Sequence, residues 1–222
     1  METKETMSGR FAALVKKLLR QTRLYWDIPV TVLLALCVLA GFVWYGIRWT
    51  DPEEAGIRQS VVQTARQYLG CNESDGSHQK IVDRYNSYTP SPRGYTLTYE
   101  DNWCAAFGSA TALEAGLADW IPMECSCEQQ ILLFSKSGDW QENECYLPRP
   151  GDYIYYVWDE WRDGDCTAWA NHVGIVAETF GPVIKVIEGN KDDAVGYRYI
   201  FLNDITIRGF GLPDYRKIAA CS

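Results

Sequence analysis

Apolar and polar positions fall into three regimes along the chain. The first is residues 28–47, IPVTVLLALCVLAGFVWYGI, a run of twenty without a charge. At 1.5 Å rise per residue such a helix spans roughly 30 Å, the hydrocarbon thickness of a bilayer. Tyr25, Trp26, Trp44, Tyr45 and Trp49 stand near its ends, where amphipathic rings prefer the membrane interface. The second regime has a helical period. Ile57, Val61, Ala65 and Leu69 recur at intervals of four, and Gly70 closes the run. Residues 78–85 read as a second short helix, 103–115 as an Ala-rich third stopped by Gly116, and 125–136 as a fourth. TPSPRG at 89–94 is a turn-rich loop. In the third regime the apolar runs shorten. Residues 153–158, 172–178, 183–188 and 197–202 are β-rich, with Gly, Pro and Asp between them. Helices first and an antiparallel sheet after them predict an α+β fold.

Charge divides the chain. Residues 1–48 carry seven Lys/Arg against three Asp/Glu, and 49–222 carry fourteen against twenty-six, within a net −8. Arg10, Lys16, Lys17, Arg20 and Arg23 precede the apolar run, and Arg48, Asp51, Glu53 and Glu54 follow it. That asymmetry predicts a cytoplasmic N-terminus and an extracellular body. A cleaved signal peptide has a shorter apolar region and a small-residue cleavage site, whereas this run ends in WYGIRW. The expected organisation is a cytoplasmic basic tail over 1–27, a transmembrane anchor over 28–48, a polar linker over 49–56 and an extracellular domain over 57–222. An acidic body excludes nucleic acid as a partner, because neutralising phosphates takes Lys and Arg.

Two residues stand out as chemistry. Cys104 lies in DNWCAAFGSATALEAG, at the predicted start of the third helix. There the helix dipole and free backbone N–H groups favour a thiolate. His172 opens the strand NHVGIVAE, and the chain has only two histidines. Glu188, sixteen residues on in VIKVIEGN, would lie beside it across an antiparallel hairpin, with Asn190 near enough to share or replace its role. A thiol, an imidazole and a group that orients the imidazole are the minimum set for cysteine-dependent acyl transfer. Against this stand the plainer readings of an inert core cysteine and a structural histidine.

The stretches QTARQYLG, WCAAFGSATALEAGL, PRPGDYIYY, NHVGIVAE, VIEGN and IRGFGLPDY, in that order over roughly residues 57–216, resemble the CHAP domain, the cysteine, histidine-dependent amidohydrolase/peptidase family. The resemblance implies a papain-like fold in which Cys104 is the nucleophile, His172 the base, and Glu188 with Asn190 the orienting groups. It also implies peptidoglycan as substrate, cut either as an N-acetylmuramoyl-L-alanine amidase or as an endopeptidase. Asn171 stands where the family often has Asp. Some members bind calcium, but CNESDGSHQK lacks the acidic spacing of a calcium loop, so no cofactor or metal is expected. The expectation is a membrane-anchored wall hydrolase for local remodelling, partnered by peptidoglycan and by envelope or conjugation machinery. The rival readings are an inactive wall-binding or scaffold module and a cysteine peptidase acting on proteins. Tyr85, Asn102, Trp103, Trp158 and Trp169 are candidates to line a groove. Of the eight cysteines, the six outside Cys37 and Cys104 permit three disulfides in an exported domain.

Overall fold

The computed structural model describes residues 32, 34–39, 51–143, 145–158 and 169–221. They belong to two compact units, Met1–Thr50 and Asp51–Ser222. In the first, Val32 and residues 34–39 are helical and exposed. No helix among the described residues is long and apolar enough to cross a membrane. The expected anchor over 28–48 lies mostly outside them.

The second unit opens with α1 (Pro52–Arg66). Asp51 caps it by accepting from the Glu53 N–H at 3.0 Å, Pro52 supplies a preset φ at the first turn, and Glu53 and Glu54 face the positive end of the dipole. Residues 52–56 of the expected linker over 49–56 lie in this helix. Glu54 is buried and meets Arg58 at 2.8 Å, Arg149 at 2.5 Å and Arg216 at 3.2 Å. Arg58 also donates to Asp152 at 2.7 Å and lies over the Tyr215 ring. This cluster ties the first helix to the start of a strand and to the last helix.

Three more helices precede the sheet: α2 (Gln79–Asn86), α3 (Cys104–Glu114) and α4 (Cys127–Ser137). Each falls within two residues of its expected bounds. Six antiparallel strands follow: β1 (Trp140–Gln141), β2 (Tyr153–Tyr156), β3 (His172–Phe180), β4 (Val183–Lys191), β5 (Ala194–Phe201) and β6 (Ile207–Gly211). They lie in the order β1-β6-β2-β3-β4-β5, and α5 (Tyr215–Cys221) closes the chain. The α+β expectation holds. Three elements were not anticipated: β1, β6 and α5. β6 reads IRGFG, and its glycines look like breaks in the sequence. They are contact points instead, since a Cβ on Gly209 would meet the Trp140 ring at 2.5 Å and one on Gly211 the Phe134 ring at 2.5 Å.

The strand period of two splits the core over both faces of the sheet. Tyr153, Tyr155, Val173, Ile175 and Ile187 pack with α1, α3 and α4. Ile154, Val176, Val186, Ile200 and Phe210 pack on the other side. Cys104 through Ala112 of α3 are all buried, which explains a helix built from Ala, Gly and Ser. It lies hard against the sheet. A Cβ on Gly189 of β4 would come within 2.4 Å of Phe107, and one on Gly108 within 2.8 Å of the Tyr153 ring. All seven described cysteines are free, so no disulfide staples the unit among these residues; Cys166 lies outside them.

Candidate active site

Trp103 precedes α3 and fixes where it starts. Its ring is fully buried, and its indole N–H donates to Glu73 at 2.9 Å. The next residue, Cys104, therefore heads the helix, where its thiol accepts from the Ala105 backbone N–H. His172 is the first residue of β3, paired with Tyr156. The turn before it is anchored twice. The Ala170 N–H donates to Glu128 of α4 at 3.1 Å, and the Asn171 side chain accepts from the Trp158 N–H at 3.1 Å. The His172 ring stacks on Tyr156, and Trp158 lies 6.3 Å away.

Glu188 of β4 sits opposite Gly174, hence on the same side of the sheet as His172. Its carboxylate lies 3.1 Å from His172 Nε2. A carboxylate only accepts, so Nε2 carries the proton and Nδ1 is left for the thiol. Arg198 of β5 completes the row, reaching the two Glu188 oxygens at 2.7 and 2.8 Å while its guanidinium covers the Trp158 ring at 4.6 Å. Asn190 takes a different place. It has φ +55° at an irregularity of β4, and its amide donates to Asn102 at 3.4 Å instead of meeting His172.

The titration of the pair follows from these contacts. Cys104 is held well below the ordinary thiol range. The hydrogen bond from Cys127 is the largest cause; burial opposes it, and the hydrogen bond and charge of His172 add to it. Burial pushes His172 down, but its hydrogen bonds to Cys104 and Glu188 and their charges outweigh that and raise it to about 9. A thiolate beside an imidazolium is the resting state these shifts favour. It can attack an electrophilic carbonyl and protonate what leaves.

Cys104, His172 and Glu188 thus come together. Among the candidate groove residues, Trp103 and Tyr85 are core, Asn102 holds Asn190, Trp158 flanks His172, and Trp169 is 74% exposed. Two participants escaped the sequence reading. Arg198 was legible in principle, as a charge on the same side of β5 as buried Ile200. Cys127 lies with its sulfur 3.6 Å from that of Cys104. Its only signal was a place just after Ser126, a residue type that starts helices. A cavity of about 590 Å³ lined by Pro92, Arg93, Trp120, Met123 and Leu133 includes none of the reactive residues. No group of three metal-ligating side chains occurs among the described residues.

No protein-family model matches this sequence, and no curated protein matches it. Among solved structures, the chain is similar to Ly7917 with the hydrolysing product of MDP, at 12% identity and a TM-score of 0.40. That alignment covers 70% of this chain and 62% of the other. A second structure of Ly7917 aligns at 12% identity and a TM-score of 0.34, over 61% and 62% of the two chains. The chain thus spans about 62% of the length of these structures. A likeness of that size does not fix an activity.

Proposed function

We propose that this protein is a cysteine-dependent hydrolase of peptidoglycan amide bonds, an N-acetylmuramoyl-L-alanine amidase or an endopeptidase. The observation that carries the chemistry is the buried row Cys104–His172–Glu188, with a thiol lowered and an imidazole raised. The substrate class rests on the resemblance of WCAAF, HVGIV and VIEGN to the CHAP family. In the reaction the Cys104 thiolate attacks the scissile carbonyl, and the oxyanion faces the free N–H groups at the start of α3. His172 gives its proton to the departing amine. The thioester that remains is hydrolysed by water, whose proton returns to His172. Glu188 keeps the imidazole in the right tautomer and stabilises its charge.

The apolar run over 28–47 supports a single membrane anchor, with the N-terminus in the cytoplasm and the unit from Asp51 outside. Tethering would hold the enzyme near the wall by raising its local concentration. The deciding experiment is mass spectrometry of muropeptides after incubating purified walls with the protein, wild type beside Cys104→Ala. Stem peptides freed from glycan only by wild type establish an amidase, and shortened stems or split cross-bridges an endopeptidase. Folded wild-type protein that leaves walls of several chemotypes intact overturns the proposal.

A further inference from the structure

Helices α3 and α4 each begin with a cysteine, and the two starts meet. Cys104 and Cys127 sulfurs are 3.6 Å apart, in van der Waals contact, with the residues 6% and 7% exposed. The meeting is built by the segment between the helices. Ser109 of α3 donates its hydroxyl to the Glu124 carbonyl at 2.7 Å and accepts from the Glu124 N–H at 2.9 Å. The Glu124 carboxylate, gripped by both arms of Arg93, accepts from the Cys125 and Ser126 N–H groups. Ser126 then caps α4. Together these bonds hold the first residue of α4 against the first residue of α3. The acyl-transfer step needs one thiol, so the second is unexplained by it. The absence of a three-ligand group among the described residues leaves two sulfurs without a metal's usual complement.

We propose that Cys104 and Cys127 form a site of oxidative modification, in which Cys127 is the resolving thiol that captures oxidised Cys104 as a reversible disulfide. The oxidant is a hydroperoxide. The Cys104 thiolate attacks the peroxide oxygen, the O–O bond breaks, and Cys104 becomes a sulfenic acid as hydroxide leaves. The Cys127 sulfur then attacks the sulfenic sulfur, its proton goes with the departing hydroxyl as water, and the S–S bond forms. Two thiols and one hydrogen peroxide give one disulfide and two waters. Closing the bond brings the sulfurs from 3.6 Å to about 2.05 Å. Cys104 ionises readily, whereas the Cys127 thiol is pushed well above its ordinary range by its hydrogen bond to Cys104 and by burial. That difference assigns attack on peroxide to Cys104. Loss of hydrolysis on oxidation rests on the function proposed above; formation of the bond does not.

The test uses the full chain in detergent, treated with a molar excess of hydrogen peroxide, alkylated without reduction and cleaved after glutamate, since sulfinic acid takes a second peroxide. Glu114 and Glu124 separate the two cysteines, and fragmentation of the linked peptide, with a Cys125→Ser variant beside it, tells Cys127 from Cys125, which share residues 125–128. The expected product is a Cys104–Cys127 linked peptide, with hydrolysis lost in proportion to the linked fraction and restored by dithiothreitol. In Cys127→Ser and Cys127→Ala the linked peptide should vanish and Cys104 should proceed to sulfinic acid, which dithiothreitol does not reverse. Wild-type Cys104 that goes to sulfinic acid, pairs with Cys125, or stays reduced overturns the proposal. A linked peptide in a protein that never cleaves walls leaves the modification site standing and removes the hydrolase reading instead.

Discussion

Glu54 and Glu188 are both buried carboxylates facing arginines, at opposite roles in one unit. Glu54 meets three guanidiniums, those of Arg58, Arg149 and Arg216, and Arg58 passes on to Asp152. Burial is the largest influence on Glu54 and acts upward, yet the arginines together hold its carboxyl below the usual range. Arginine does not release its proton near neutrality, so the cations of this cluster are fixed, and they join α1, β2 and α5. Glu188 meets one guanidinium and one imidazole, and the imidazole meets a thiol. There the proton has two places to rest. Burial alone does not mark a reactive site. What marks it is burial beside groups whose affinities for a proton have been pushed toward or past one another.

The sharpest test of this contrast removes one group from each cluster. Cys104→Ala should lower kcat on cell walls by about four orders of magnitude or more, with an unchanged melting curve, as expected when one member of a catalytic set is removed. Arg58→Ala should do the reverse. It strands Glu54 and Asp152, and unfolding by urea should show a loss of about 3–5 kcal/mol, while the fraction still folded keeps its rate. If Arg58→Ala instead abolished hydrolysis in stable protein, the two clusters would not be separate in function. Arg198→Ala falls between them. It removes one charge-assisted partner of Glu188, and kcat should fall about ten- to a hundredfold, the equivalent of about 1.4–2.7 kcal/mol.

The titration gives a gentler probe. Below about 9 His172 keeps the proton it must donate, and above that it loses it. The profile of kcat/KM against pH should therefore fall by about tenfold per unit on the alkaline side of pH 9. Its acid limb, set by protonation of the Cys104 thiolate, should lie well below the ordinary thiol range. A single limb at the pH of a free histidine would break the assignment of the pair. The smallest effect is expected at Asn190, which bonds Asn102 instead of His172. Asn190→Ala should change kcat by less than about threefold, the scale of one weak neutral hydrogen bond.

How much of this was legible depended on whether the signal was periodic. The four helices ahead of the sheet and the strands β2 to β5 showed in the spacing of apolar residues, and the pairing of His172 with Glu188 followed from a hairpin of ordinary register. β6 stayed hidden because its glycines serve packing by Trp140 and Phe134, side chains that come from elsewhere in the chain. The start of α1 is hard to place in the sequence because Asp, Pro and Glu suit a polar linker as well as a helix cap. Asn190 is near enough to Glu188 in sequence to share or replace its role, but the irregularity in β4 sets its amide against Asn102. Cys127 meets Cys104 through a contact that no local spacing encodes, whereas Arg198 is marked only by its place on the Ile200 side of β5.

Gly189 and Gly108 touch nothing that reacts, yet a methyl group at either would press on Phe107 or Tyr153, and so on the helix that carries Cys104. In a saturation scan scored by activity these two positions should tolerate replacement as poorly as Cys104 itself. A genetic map of this protein would then draw the reactive centre larger than its chemistry, and the surplus would trace the seam where helix meets sheet.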